Sequence, residues 1–456
     1  MGDRPRSSDP KGGRVIERAI YNRFALPLGL AGFRVAALFD QKARTGLLRR
    51  KNLAAELSHK VSRLGPGKRV LVHVSSVGEY LQARPVLRTL RQSFPAINFV
   101  LSFFSPSLEP TLAKGVEAEF ATYLPFDRKA DAEKFLQILD PALIIFSCYD
   151  LWPNLIWRAK ERGVKVALVN AGLAENSGKL NPLARWWFAG VYRELDLILA
   201  ASEEDRAAIA GLGVNAGKII TAGNARFDET IARINAIAPD DPLIAAVMKW
   251  RGNPREFCLA VGSSWPEDEA ALVPAIAGIW LERKPLKLVI APHEPSGDRV
   301  RELSRRLAAA GRGPALLSEI EAGKPAGDAK ALIVDGVGRL YKLYQAADLA
   351  FVGGSFRKEV HNVMEPAGFG IPVLFGPRIN NSLEAIKLAE RKGGFVVRSS
   401  EEIRGRVTAF MESGEKRAGA GQRALELVRE NQGAAERICK ILAGVFPQIF
   451  PAERAR

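Results

Sequence analysis

The stretch from Asp348 to Pro377, DLAFVGGSFRKEVHNVMEPAGFGIPVLFGP, contains two short apolar runs, Leu349 to Val352 ending in Gly353 and Gly354, and Ile371 to Phe375. Runs this short and this apolar, closed by glycines, read as buried parallel strands. Between them Asn362 precedes Met364, Glu365 and Ala367. A helix is therefore expected to start near Asn362, a residue type that caps free amides. Such a helix start carries about half a positive charge and unpaired N–H groups, which suit a phosphate. Glu365, about one turn in, is placed to accept hydrogen bonds from ribose hydroxyls. The same residues also fit a plain Gly-rich turn of an α/β sheet, with Glu365 on a solvated helix face.

Outward from this stretch the same unit recurs. Toward the N-terminus, Arg69 to Val74 (RVLVHV) is a buried strand, and Ser75 to Glu79 leads into a helix over Tyr80 to Ser93. Strands are expected at Phe99 to Phe103, Leu143 to Phe146, Lys165 to Val169 and Asp196 to Ala200, each followed by a helix-length segment. Strand, crossover and strand repeated in this way mean a parallel sheet with right-handed connections. The pattern resets across Ile231 to Pro254, which reads as an interdomain connection. A second sheet follows, with strands at Phe257 to Val261, Lys287 to Ala291, Ala331 to Val334, Leu349 to Val352, Val373 to Phe375 and Gly394 to Val397. Leu303 to Lys330 looks looser, and Ala418 to Leu442 has the charge interleaving of one long surface helix. The expectation is an α/β chain of two facing Rossmann-like domains: a basic segment over 1–68, a first domain over 69–235, and a second over 236–456 that includes the C-terminal helices.

The 456 residues, 47% hydrophobic, can bury a core in each domain. Three scattered cysteines, Cys148, Cys258 and Cys439, make no disulfide framework, and the four histidines show no metal-ligand spacing, so no metal and no cofactor is expected. The net charge of +16 is concentrated at one end, since residues 1–70 hold sixteen Lys or Arg against five Asp or Glu. That distribution argues against nucleic acid as a partner and toward an anionic membrane surface. Phe24 to Phe39 (FALPLGLAGFRVAALF) is apolar except for Arg34, and Lys42, Arg44, Arg49, Arg50 and Lys51 follow. It is shorter than the about 20 residues a spanning helix needs, so residues 20–40 read as an interfacial anchor. The alternative is an amphipathic helix packed on the protein's own body. Oligomeric state is not legible.

Two residues outside the opening stretch, Glu79 and Asp150, stand where an α/β sheet builds its site, beyond the carboxyl ends of strands. Glu79 follows Gly78 at a strand-to-helix turn and suits a general base, or a helix-start acceptor. Asp150 lies in Cys148-Tyr149-Asp150-Leu151-Trp152-Pro153-Asn154. Arg226, in Gly223-Asn224-Ala225-Arg226-Phe227-Asp228, suits a phosphate contact, or a surface ion pair with Asp228.

Taken together, HVSSVGE (His73 to Glu79), PFD (Pro125 to Asp127), DLWPN (Asp150 to Asn154), GNARFD (Gly223 to Asp228), APHEP (Ala291 to Pro295), and VGGSF with HNVMEPAGFGIPVLFGP resemble the 3-deoxy-D-manno-octulosonate (Kdo) transferases of lipid A biosynthesis. The motifs run in the family's order from about residue 20 to beyond residue 390. The resemblance implies a metal-independent, inverting glycosyltransferase of the GT-B type. Its substrates would be CMP-Kdo and a lipid A precursor, at the cytoplasmic face of the inner membrane. By that resemblance Glu79 is the proton acceptor, and Asp150 and Arg226 stabilise the transition state. His293, Glu294, Val337, Gly338, Arg339, Asn362, Val363, Met364 and Glu365 would hold the CMP moiety. The chain departs from the family at Cys148, where an acid is usual, and at His293-Glu294, where Arg-His is usual. Arg339 replaces an acid, and Arg357 to Val360 stands in place of glycines. A GT-B transferase or epimerase acting on another nucleotide sugar is the alternative.

Overall fold

Two seven-stranded, wholly parallel sheets form the framework of the computed structural model, which describes residues 17–173, 182–252, 256–311 and 313–451. Residues 1–16 of the expected basic segment, and the Pro254 end of the expected connection, lie outside the described residues. The chain divides into two compact units, residues 1–229 with 433–456 and residues 230–432.

The first unit holds β1 (Arg69–Val74), β2 (Asn98–Phe103), β3 (Phe120–Tyr123), β4 (Leu143–Ser147), β5 (Lys165–Ala171), β6 (Leu197–Ala200) and β7 (Ile219–Thr221) in the order β3-β2-β1-β4-β5-β6-β7. The second holds β8 (Phe257–Ser264), β9 (Leu286–Pro292), β10 (Ala315–Leu316), β11 (Ala331–Ile333), β12 (Leu349–Val352), β13 (Val373–Phe375) and β14 (Gly394–Val396) in the order β10-β11-β9-β8-β12-β13-β14. In each unit the chain builds first one side of a central strand and then the other, and in the second unit β11 inserts between β9 and the edge strand β10. A switch point, where connections diverge and leave a crevice, therefore falls between β1 and β4, and again between β8 and β12.

Helices cover both faces of each sheet, so the strands are apolar on both sides. Val70, Val72 and Val74 of β1 pack into one core layer and Leu71 into the other. Phe257, Leu259 and Val261 of β8 alternate with Cys258 and Ala260 in the same way. The strands missing from the expectation, β3, β7 and β10, all lie at sheet edges. Edge strands are short and less apolar, which removes the signal that identifies a central strand.

The C-terminal region differs from the single long surface helix expected. Gly414–Glu430 and Ala434–Val445 are separate helices, broken at Gly433, whose φ of +78° lies in the left-handed region. The Asp228 carboxylate accepts hydrogen bonds from the freed Gly433 and Ala435 amides. The final helix belongs to the first unit, not the second: Ile438, Leu442, Phe446 and Phe450 are buried in the core layer that contains Val70 and Val72. Apolar spacing reveals that such a helix is buried but not which sheet it covers. Leu442→Ala should cost about 2–5 kcal/mol. Calorimetry should show the thermal transition of the first unit lowered and that of the second unchanged.

Candidate functional site

In the first unit, Glu79 lies in the opening turn of the Val77–Ser93 helix, directly beyond β1, and is buried. Ser76 caps this helix by accepting from the Glu79 amide, and the Glu79 Oε2 accepts from the Ser75 N–H. The residue thus fills the helix-start role open to it from sequence. A carboxylate carries about four lone-pair sites, and this bond fixes its aim.

Beyond β4, on the other side of the switch point, come Cys148, Tyr149 and Asp150. Cys148 is buried with φ +72°, a conformation rare outside glycine, so the backbone turns sharply there. Burial pushes its thiol up to about 12; Glu79 and Asp150 add to the rise, while Ser147 and Arg226 oppose it. Tyr149 is likewise raised, by burial first, then by Cys148, Glu79 and Asp150 against Arg226. Glu79, Asp150 and Arg226, far apart in sequence, therefore act on the same two side chains. The Asp228 oxygens accept from the Gly433 and Ala435 amides.

The other acid of the first unit's motifs, Asp127, is structural. Its buried carboxylate accepts from the Asn154 and Leu155 amides at the start of the Pro153–Glu161 helix, and from the Tyr21 hydroxyl. Desolvation pushes it up to about 7, although these donors hold it down. Asn154 also exchanges hydrogen bonds with Asn22. Tyr21 stacks on Trp187 at 5.3 Å between ring centroids. These contacts fasten a π-helical turn, Tyr21–Ala25, from which the Leu26–Phe39 helix runs on.

That helix is packed on one side and exposed on the other. Phe33 packs edge-on against Phe104 and Phe126, whereas Phe24, Leu28, Val35, Leu38 and Phe39 are exposed. Among the described residues no helix is long and apolar enough to cross a membrane. The basic cluster after it is divided. Arg50 donates to the carbonyls of Gly46, Phe104 and Leu124 and lies over three aromatic rings, so it is internal. Arg44 closes the preceding helix through the Ala37 and Leu38 carbonyls, and Arg49 pairs with Glu109. Lys42 and Lys51 are exposed. A cavity of about 380 Å³ borders the helix, with Leu26, Pro27 and Leu30 on one wall and Arg34, Arg128 and Lys129 beside it.

In the second unit the switch point carries an aromatic stack. The Trp265 ring, just after β8, lies 4.8 Å from that of His293 after β9, and His293 lies 4.3 Å from His361 after β12. The Trp265 indole N–H donates to His361 Nε2 at 2.8 Å, which leaves the proton of the neutral ring on Nδ1. Burial, then His293, holds His361 down at about 4. The Arg357 guanidinium sits 3.9 Å above the Trp265 ring. The buried Asp268 carboxylate fixes this corner by accepting from the amides of Trp265, Gly354 and Phe356. Gly353 is required because a Cβ there would stand 2.4 Å from the Ser263 carbonyl oxygen, and Gly354 because its φ is +97°.

Of the residues expected to hold a nucleotide, His293 and the Asn362 segment meet through this stack, and Glu294 is exposed beside it. Asn362 Oδ1 accepts from the Met364 amide, yet the helix it starts, Met364–Gly368, has five residues and offers a few amides rather than a long dipole. Glu365 pairs with Arg233 at 2.7 Å. Val337 is exposed and Gly338 adopts φ +79°. Gly338 and Arg339 border a cavity of about 430 Å³ with Asp241, Glu321 and Lys342, and Arg339 pairs with Glu321 at 3.0 Å. Trp265 and Asp268 are additions that the sequence did not single out. The Gly262-Ser263-Ser264-Trp265 end of a predicted strand was the available signal.

Residues 41–229 match the family model described as 3-deoxy-D-manno-octulosonic-acid transferase. A Chlamydia muridarum protein named 3-deoxy-D-manno-octulosonic acid transferase is 30% identical over 387 residues, covering 83% of this chain and 86% of that one. The chain belongs to the 3-deoxy-D-manno-octulosonic acid transferase family. A Haemophilus influenzae protein of the same name is 27% identical over 83% of this chain and 87% of its own length. Among solved structures, UDP-GlcNAc 2-epimerases from Neisseria meningitidis (TM-score 0.58, 12% identity, 83% of this chain and 100% of that one) and Methanocaldococcus jannaschii (TM-score 0.53, 15% identity, 79% and 99%) share the fold. Asp268→Ala would leave three amides at the second unit's switch point without their acceptor, a loss of about 3 kcal/mol or more. Urea denaturation should locate the loss in the second unit, and Trp265 fluorescence should report a changed environment before unfolding.

Proposed function

We propose that the protein is an inverting glycosyltransferase that moves Kdo from CMP-Kdo to a glucosamine hydroxyl of a lipid A precursor. The observation that carries this reading is the family's similarity across most of the chain, with Glu79 just beyond β1 and Asp150 just beyond β4 on the two sides of the switch point. In the reaction the bond between the Kdo anomeric carbon and the phosphate oxygen breaks, and the acceptor oxygen bonds to that carbon from the opposite face. Glu79 takes the acceptor's proton, and CMP leaves. Charge that develops on the sugar and phosphate has to be met by fixed groups, which is the role we assign to Asp150 and Arg226. The reading invokes no metal. It gives CMP to the second unit. There His293 is part of the aromatic stack, Glu294 adjoins it, Asn362, Val363, Met364 and Glu365 follow His361 in the chain, and Val337, Gly338 and Arg339 follow β11.

The same proposal places the enzyme at the cytoplasmic face of an inner membrane, held peripherally by the Leu26–Phe39 helix. The exposed Leu28, Leu38 and Phe39 of this helix, with Phe24 in the turn before it, support insertion at the interface. Arg34, Arg128 and Lys129 beside the apolar cavity support contact with anionic headgroups, at about 1 kcal/mol each near the surface.

Glu79→Ala is expected to abolish transfer from CMP-Kdo while CMP still raises the melting temperature of the variant; ordinary turnover would remove the base assignment. Stabilisation by UDP but not by CMP would favour a different nucleotide sugar. Replacing Phe24, Leu28 and Phe39 together by Ser should reduce cosedimentation with vesicles containing phosphatidylglycerol by tenfold or more, a change of about 1.4 kcal/mol, and leave thermal stability unchanged. Undiminished binding would return this helix to a purely structural role.

A further inference from the structure

Asn170 stands at the carboxyl end of β5, and three observations set it apart. The pairing of β5 with β6 is regular at Leu168 opposite Ile198, then shifts by one residue before Ala171 meets Ala200, so an extra residue is accommodated at Val169 and Asn170. Such bulges re-aim a side chain. The Asn170 backbone has φ +51°, in the left-handed region that asparagine tolerates better than most residues, and the residue is buried. Its amide is fully used in three directions. Nδ2 donates to the Gln82 carbonyl at 3.1 Å and to Ser147 Oγ at 3.3 Å, while Oδ1 accepts from the Ala225 N–H at 2.9 Å.

Those three partners belong to the three segments that carry the proposed chemistry. Gln82 is three residues after Glu79, about one turn along the same helix. Ser147 ends β4 and directly precedes the Cys148 to Asp150 turn. Ala225 adjoins Arg226. The backbone reinforces the link, since the Cys148 N–H donates to the Val169 carbonyl at 2.9 Å. We propose that Asn170 is a positioning residue for transfer: one side-chain amide, aimed by a strand bulge, sets the mutual placement of Glu79, Asp150 and Arg226. The inference rests on the roles proposed above for those three groups.

Two variants of the full-length enzyme separate positioning from simple structural support. Asn170→Asp keeps the shape and tolerates the same backbone, and it can still accept from Ala225 and Ser147. It sets an oxygen against the Gln82 carbonyl, however, and so releases the helix that holds Glu79. Asn170→Gly permits the same φ and removes all three bonds. Both should lower kcat by about tenfold to a hundredfold, as small misplacements of reacting groups do. The KM for CMP-Kdo should stay within about twofold, because the donor's nucleotide is assigned elsewhere. In Asn170→Asp the acid limb of the pH–rate profile should also move. Wild-type kcat and profile per folded molecule in both variants, with only the melting temperature lowered, would overturn the proposal. Glu79→Gln assayed in parallel tells the two failures apart. If it is inactive while the Asn170 variants are normal, positioning alone fails; if it is fully active, the base assignment fails, and the role given to Asn170 with it.

Discussion

Parallel strands that end in tight turns leave buried backbone N–H groups which must find acceptors, and here buried carboxylates supply them. Asp127 serves Asn154 and Leu155, Asp268 serves Trp265, Gly354 and Phe356, and Glu79 serves Ser75. Each bond replaces one that water would otherwise make, at the carboxyl ends where the sheets open to ligands. Without them these turns would hold unsatisfied amides at roughly 1–3 kcal/mol apiece. The same constraint that keeps the turns closed also decides which residues face the switch points.

One consequence is that an acid in a family motif need not be an acid that reacts. Asp127 and Asp228 lie in motifs as recognisable as the one containing Glu79, yet their oxygens are occupied at helix starts. Glu79 shares that duty and also lies within electrostatic reach of Cys148 and Tyr149, along with Asp150 and Arg226. On the proposed reading, Glu79 thus differs from the structural carboxylates in its neighbours, not in its residue type.

That difference also marks how far the sequence could be read. Central strands were legible because a parallel strand buried on both faces is an uninterrupted apolar run, as in RVLVHV and FCLAV. The edge strands β3, β7 and β10 lack that run, and the final helix shows an apolar stripe without showing that β1 and its neighbours are what it covers. Glu79, Asp150 and Arg226 could be singled out because each follows a strand or a glycine turn. Asn170 could not, since its role depends on a bulge and on three partners 23 to 88 residues away. Trp265 could not be singled out either, because only the placement of β8, β9 and β12 in the sheet brings it against His293 and His361. In the N-terminal cluster, charge counted along the chain overstated what faces outward, because Arg50 is folded in among aromatic rings.

The account stands most directly on the identity of the product. Incubating the purified protein with CMP-Kdo and an acylated, phosphorylated glucosamine disaccharide, and then weighing the acceptor by mass spectrometry, measures it. The account predicts an acceptor heavier by one or more Kdo residues, with one CMP released for each residue added. An acceptor of unchanged mass in the presence of folded, CMP-binding protein would contradict it.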